Sequence, residues 1–292
     1  MPELPEVETI RSQLGKLIVG RKIKKVDVGL PRMVKLPLDR FRKIVLNSKI
    51  KSINRRAKIL IFELSNGWSM LIHLKLSGRL IFQPKGAKLQ PEDTKWNHLI
   101  YYFQDGSRLF HNDLRQFGYV KLVETDKLAD FFKKEKFGPE PLKKYFTFND
   151  FSAILKRKPK AKIKQFLMDQ QNISGIGNIY SDEILFFAGV HPLRRVGELK
   201  GREIKKIFDG IKKILSEATK LRGTSENIYL DAKGEKGEYV PRLKVYGREG
   251  EKCKKCGGIV QRLKIGGRSA HFCPACQRLK PLALAGRPKC QR

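Results

Sequence analysis

The hydrophobic period changes partway along this chain, and few folds accommodate both patterns. From about residue 20 to 125 the apolar residues come in short β-branched or aromatic runs: "KIKKVDV", "AKILIFEL", "WSMLIHLKL", "GRLIFQ", "HLIYYF", "SRLFHND" and "GYVKLV". Asn66–Gly67 and Asp105–Gly106 separate two pairs of these runs, the strongest short-range hairpin signal. Seven strands at this spacing predict a sandwich or barrel. Ahead of them, residues 4–18 place Val7, Ile10, Leu14, Leu17 and Ile18 at helical spacing. Near "KKEKFGPEPLKKY" the pattern breaks at Pro139 and Pro141, which reads as a linker. From about 147 to 222 the period is helical, in "FNDFSAILKR", "AKIKQFLMDQ", "NIYSDEILFFAG" and "GREIKKIFDGIKKILSEATK". Residues 223–245 carry no period and read as a loop.

The chain has 62 Lys+Arg against 29 Asp+Glu, a formal charge of +33 over 292 residues. An excess this large points to a polyanion, with nucleic acid the leading candidate. A membrane surface would call for an amphipathic helix with a bulky apolar face, and none is evident. No apolar run approaches the roughly 18 residues of a membrane span, and no targeting segment is visible, so the cytoplasm is the expected compartment.

Four of the five cysteines fall in the pattern Cys253-x2-Cys256-x16-Cys273-x2-Cys276. Two CxxC knuckles at this spacing predict a four-thiolate zinc site. Gly257–Gly258 and Pro274 supply turn chemistry beside the knuckles. Such a site has no open coordination position, so one zinc ion is expected in a structural role, standing in for a core that so short a segment cannot build. Thiol pairs or disulfides are the alternative, and cytosolic disulfides are rare. Between the knuckles, Arg262, Lys264 and Arg268 suit phosphate contact. Cys290 has no assignment.

In "QQNISGIGNIYSDEILF" a Gly-x-Gly-Asn turn precedes a helix. Gly175 and Gly177 let backbone approach a ligand, and Asn178 is expected to cap the helix beside an anion site. A plain helix start explains the local pattern equally well. The opening "MPELPEVETI" poses a different problem. Two prolines and three glutamates begin a strongly basic chain, where a frayed end leading into a helix with acidic first-turn residues is the plain reading.

Taken together, "PELPEVE", "HLKLSGRL", "DLRQFG", "GIGNIY", "VYGREG" and the CxxC…CxxC hairpin resemble the bacterial formamidopyrimidine-DNA glycosylase family, whose relatives include endonuclease VIII. The resemblance runs from residue 2 to about 278, and "ELPEVET" is similar to the oxidised-purine branch. It implies an α+β fold: an N-terminal β-sandwich with an N-terminal helix, a helical domain containing a helix-two-turn-helix motif, and a C-terminal zinc-bound β-hairpin. The expected boundaries are 1–135, a hinge at 136–146, 147–245 with a lesion-covering loop, 246–280, and a tail at 281–292 with no assigned role.

The resemblance makes Pro2 the nucleophile, exposed once the initiator methionine is removed. An α-amine has a reference pKa of about 7.7–8.0, so a useful fraction is unprotonated near neutrality. Glu3 is implied as the general acid/base, Glu6 as a carboxylate that positions the N-terminus, and Lys58 as a phosphate-holding lysine. Leu76, Arg115 and Phe117 match the side chains inserted when the damaged nucleotide is everted. The family commonly has methionine for Leu76, glycine for Lys75 and proline for Leu114. His73, Lys164, Asn178 and Arg268 complete the implied DNA contacts. The expected activity is a DNA glycosylase with AP lyase activity, acting as a monomer on damaged double-stranded DNA near the nucleoid. A glycosylase for oxidised pyrimidines and a non-catalytic DNA-binding relative are the alternatives.

Overall fold

The computed structural model describes residues 1–87, 96–226 and 228–279. Cys290 and the tail at 281–292 lie outside the described residues.

Helix α1 (Leu4–Leu17) is followed by strand β1 (Ile23–Val28), helix α2 (Leu38–Val45) and strands β2 (Ile50–Arg56), β3 (Ile59–Leu64), β4 (Trp68–His73), β5 (Gly78–Gln83), β6 (Asn97–Phe103), β7 (Arg108–Asp113) and β8 (Tyr119–Glu124). They form two antiparallel four-stranded sheets, β1-β6-β7-β5 and β2-β3-β4-β8. The expected hairpins are present: β3 pairs with β4 and β6 with β7. Leu60, Phe62, Leu80, Tyr101 and Leu109 fill the space between the sheets, and α1 adds Val7, Ile10 and Leu14. Burying one such side chain contributes about 1.5–3 kcal/mol.

Two elements depart from the expected seven strands. Strand β2 reads "IKSINRR", with only Ile50 and Ile53 buried against the core. Its polar residues hide the alternation, and pairing with β3 makes it a strand. Helix α2 also escaped the sequence reading. It is short, and Phe41, Ile44 and Val45 are its only buried face.

Helix α3 (Leu128–Lys134) precedes the segment expected to be a hinge. That segment is tied to β2. Glu140 accepts from Arg55 Nη1 (2.7 Å), Arg56 Nη1 (2.8 Å) and Ala57 N–H (2.7 Å), while Arg56 also donates to the carbonyls of Phe137 and Gly138. Helices α4 (Phe148–Lys156), α5 (Ile163–Met168), α6 (Asn178–Ala188) and α7 (Gly201–Lys220) then enclose a second core of Phe151, Leu167, Tyr180, Ile184 and Ile211. The described residues of 223–245 carry only one 3-10 turn, Val240–Arg242. They are nevertheless packed: Tyr229 and Ala232 join the sandwich core, and Ala232 O accepts from Phe82 N–H at 2.8 Å. Strands β9 (Gln261–Ile265) and β10 (Arg268–Phe272) form the last hairpin, whose tip, Gly266–Gly267, has φ of +55° and +77°.

Candidate active site

The start of the chain is fixed to the helical half. Leu4 N–H donates to Gly175 O (3.0 Å). The Glu3 carboxylate accepts from Gly177 N–H (2.6 Å), Ile179 N–H (2.8 Å) and Tyr180 N–H (3.4 Å). It therefore occupies the capping position of α6, where unpaired N–H groups and the helix dipole favour an anion. Asn178, the expected cap, is instead the first residue of α6, and its Oδ1 is buried with no hydrogen-bond partner among the described residues. The two glycines serve this contact. Gly175 has φ of +90°, and a Cβ there would meet Leu4 at 2.7 Å; a Cβ on Gly177 would meet Glu3 Oε1 at 2.5 Å. What the backbone approaches closely is the chain's own N-terminus.

Glu6 is buried beneath Glu3. It accepts from Glu3 N–H (2.8 Å), Thr224 N–H (2.7 Å) and the Tyr180 hydroxyl (2.5 Å). Burial pushes its carboxyl above the usual range, and the neighbouring Glu3 adds to the rise. Lys58 stands in the turn between β2 and β3, with Nζ donating to Ile176 O at 3.1 Å. Burial lowers its pKa against the opposing pull of Glu3 and Glu6.

Glu3, Lys58, His73, Leu76, Asn178 and Arg268 line one open cleft between the sandwich and the helical half. Pro2, under the exposed Met1, lines an adjoining smaller cavity with Leu76, Thr224, Glu226 and Tyr229. His73 is pushed down to about 3 by burial, with Lys75 and Lys58 adding to it. Its Nδ1 accepts from Lys75 N–H (2.9 Å), so the ring offers the cleft a neutral N–H rather than a positive charge. Lys75 has φ of +51°, the left-handed region where glycine is favoured, which explains the family's usual residue there. Arg115 and Phe117 lie on the loop after β7, with the guanidinium 5.3 Å from the Phe117 ring centre and that ring 54% exposed.

Lys164 stands apart from the other residues implied as DNA contacts. It is 0% exposed and pairs with Asp182 at 2.6 Å, also donating to Ser181 Oγ and Asn178 O. It offers no surface to a phosphate in this structure and instead braces the first turn of α6. Asp182 in turn accepts from His271 N–H (2.9 Å) on β10, and Glu183 accepts from the N–H groups of Lys244, Val245 and Tyr246, each at 2.9 Å. Asp182 thus ties β10 to α6, and Glu183 ties the segment Lys244–Tyr246 to the same helix. The sequence signal for them was two adjacent acids inside the apolar run "SDEILFF".

The four cysteine sulfurs lie within 4.8 Å of one another, with Cys253–Cys276 at 4.0 Å and Cys256–Cys273 at 3.5 Å. Tetrahedral Zn–S bonds of about 2.3 Å put sulfurs about 3.8 Å apart, so the four thiolates fit one structural zinc ion.

Three family models cover the chain in order: the formamidopyrimidine-DNA glycosylase N-terminal domain over residues 1–120, the H2TH domain of the same enzymes over 137–229, and a zinc finger found in these enzymes and in isoleucyl-tRNA synthetase over 250–279. A sandwich, a helical clamp and a four-cysteine hairpin around one cleft define a DNA-repair glycosylase with AP lyase activity. The chain belongs to the formamidopyrimidine-DNA glycosylase family. It is 39% identical to the formamidopyrimidine-DNA glycosylase of Listeria innocua, covering 88% of this chain and 92% of that one, and 41% identical to that of Heliobacterium modesticaldum, covering 88% and 93%. The Lactococcus lactis enzyme in complex with abasic-site DNA superposes with a TM-score of 0.88 at 38% identity, covering 95% of this chain and all of that one.

Proposed function

We propose that this enzyme excises oxidised purines, 8-oxoguanine and formamidopyrimidines, from duplex DNA and then cuts the strand by β,δ-elimination through an iminium on Pro2. With Met1 attached the Pro2 nitrogen is an amide; removal of Met1 frees a secondary amine. That amine attacks C1′ of the damaged nucleotide, the C1′–base bond breaks, and the base departs with a proton. The Glu3 carboxylate takes up a solvent proton and delivers it to the sugar ring oxygen as the ring opens, leaving a C1′=N⁺ iminium. Loss of the C2′ proton into that electron sink expels the 3′ phosphate, and a second elimination expels the 5′ phosphate. The observation that carries this reading is the clamp on Glu3, whose carboxylate is held by the first N–H groups of α6 beside Pro2 and in the same cleft as Lys58 and Arg268.

Lys58, Asn178 and Arg268 are the residues we assign to phosphates around the lesion, and Leu76, Arg115 and Phe117 to the space left by the everted nucleotide. The net charge of +33 supports duplex DNA as the partner. No helix among the described residues is long and apolar enough to cross a membrane. We assign the enzyme to the cytoplasm as a monomer.

Borohydride trapping tests the chemistry. Wild type should form a stable crosslink to 8-oxoguanine duplex, and Pro2→Gly should lose it while binding DNA within about threefold of wild type, because phosphate contacts are untouched. Loss of affinity instead of crosslinking would make the N-terminus structural. Parallel excision from thymine glycol duplex assigns the lesion: faster excision there would move the enzyme to the oxidised-pyrimidine class.

A further inference from the structure

Leu76 lines the cleft, and it stands on a different turn from the pair Arg115 and Phe117. Leu76 sits on the turn joining β4 to β5, and the other two on the turn that follows β7. A buried carboxylate joins the turns. Asp113, the last residue of β7, is 0% exposed. Its Oδ1 accepts from the Ser77 hydroxyl, and its Oδ2 accepts from Gly118 N–H at 2.7 Å. Arg115 N–H donates to Ser77 Oγ (2.8 Å) and to Asp113 Oδ1 (3.3 Å). Gln116 N–H donates to Asp113 O (3.2 Å), with Gln116 at φ of +59°. Asp113 also faces Gly78 across the β5–β7 ladder. Its carbonyl is further held by His98 Nε2 at 3.0 Å. Among the described residues Asp113 makes no ion pair, so hydrogen bonds from the two turns satisfy its charge. A bare buried carboxylate would be costly, which makes the arrangement rigid as long as all donors are present.

We propose that Asp113 is a positioning residue for base eversion: through Ser77 it locks the Leu76 turn to the Arg115–Phe117 turn, so that the three side chains enter the duplex as one wedge. The proposal rests on the assignment of those three residues to the gap left by the everted nucleotide. Separate, flexible turns would have to be ordered at the moment of insertion, on top of the unstacking that eversion already requires. Pre-ordering them is the effect expected of the Ser77–Asp113 bond.

The test compares two substrates that differ only in whether a stack must be broken. Single-turnover excision of 8-oxoguanine is measured from a fully paired duplex and from the same lesion inside an unpaired bubble. Asp113→Ala and Ser77→Ala should each slow excision from the paired duplex by about tenfold or more, the scale of lost hydrogen bonds to a buried charge, and from the bubble by about threefold or less. The double variant should be no slower than Asp113→Ala alone, because both changes break one linkage. Asp113→Asn should fall between wild type and Asp113→Ala, since its amide can keep an oxygen on Gly118 N–H and turn its NH2 to Ser77 Oγ but loses the bond from Arg115 N–H. Ser77→Ala leaves the carboxylate in place and keeps the test readable if Asp113→Ala unfolds. Equal slowing on both substrates, or additive losses in the double variant, would overturn the proposal. Borohydride trapping of wild type on a preformed abasic site is run alongside: its failure would strike the proline mechanism, whereas a missing difference between paired and bubble substrates strikes only the role of Asp113.

Discussion

The Tyr180 hydroxyl donates to Glu6 Oε1 at 2.5 Å, joining the first helix of the chain to the helix that opens the clamp. Tyr180 also contacts Thr224 Oγ1 at 2.9 Å, so one phenol meets both the N-terminal segment and the loop at 223–245. Removing the hydroxyl in Tyr180→Phe leaves Glu6 with only its two backbone donors. Stability should drop by about 1–3 kcal/mol, the cost of an unmet buried hydrogen bond. Excision should slow, because Glu6 holds the Glu3 backbone. Urea denaturation and single-turnover excision, read on the same preparation, check both. Unchanged values would show that Glu6 needs no third donor.

Zinc content and DNA affinity should fall together. Cys273→Ser removes one of four thiolates, and without the ion the β9–β10 hairpin that carries Arg268 loses its fold. Metal analysis should give one zinc per wild-type chain and far less in the variant, with tight binding to lesion duplex gone. A variant that loses zinc yet binds normally would detach Arg268 from the clamp.

Salt dependence separates phosphate contacts from base contacts. Arg268→Ala should flatten the slope of log affinity against log salt by about one unit, the effect of one lost phosphate. Arg115→Ala should leave that slope nearly unchanged and weaken discrimination among the four bases opposite the lesion. Affinity titrations across salt, with each opposing base, supply both readings. An Arg115→Ala variant that altered only the slope would place Arg115 on the backbone.

Acid should destabilise the sandwich through His111. This side chain is fully buried on β7, neither ring nitrogen has a hydrogen-bond partner among the described residues, and burial pushes its pKa down to about 4 from 6.5, with Asp113 pulling the other way and His98 adding to the fall. Between those two values the unfolded chain binds a proton that the folded chain does not. The stabilisation is complete above pH 6.5 and is lost as pH falls toward 4. Its slope is at most about 1.4 kcal/mol per pH unit. Chemical denaturation at a series of pH values should show a shallower dependence in His111→Leu than in wild type. An identical dependence in the two would assign the acid sensitivity to other groups.

The sequence disclosed the modules better than it disclosed how they meet. The four later helices, the hairpins at Asn66–Gly67 and Asp105–Gly106 and the cysteine spacing were legible because periodicity, turn chemistry and metal geometry act over a few residues. Strand β2 was not, since Ile50 and Ile53 are too sparse to show alternation among so many polar neighbours. Lys164 was expected among the DNA contacts; only the folded chain brings it to Asp182, 18 residues away. Asp113 gave no local sign either, because its partners Ser77 and Gly118 come from separate turns. The capping of α6 illustrates the limit most clearly. Asn178 was the sensible local choice, and a glutamate 174 residues before Gly177 took the position instead.

That capping also orders events during synthesis. A nascent chain that has not reached Gly177 offers Glu3 none of the three N–H groups it binds, and until Thr224 is made Glu6 lacks another of its donors. The sandwich can begin to collapse on the ribosome, but Tyr229 and Ala232 join its core late, and its first residues stay unseated until the helical half has emerged and folded against it. A chain terminated before Gly177 therefore carries the basic sandwich without the seat that Glu3 and Glu6 take in the finished molecule.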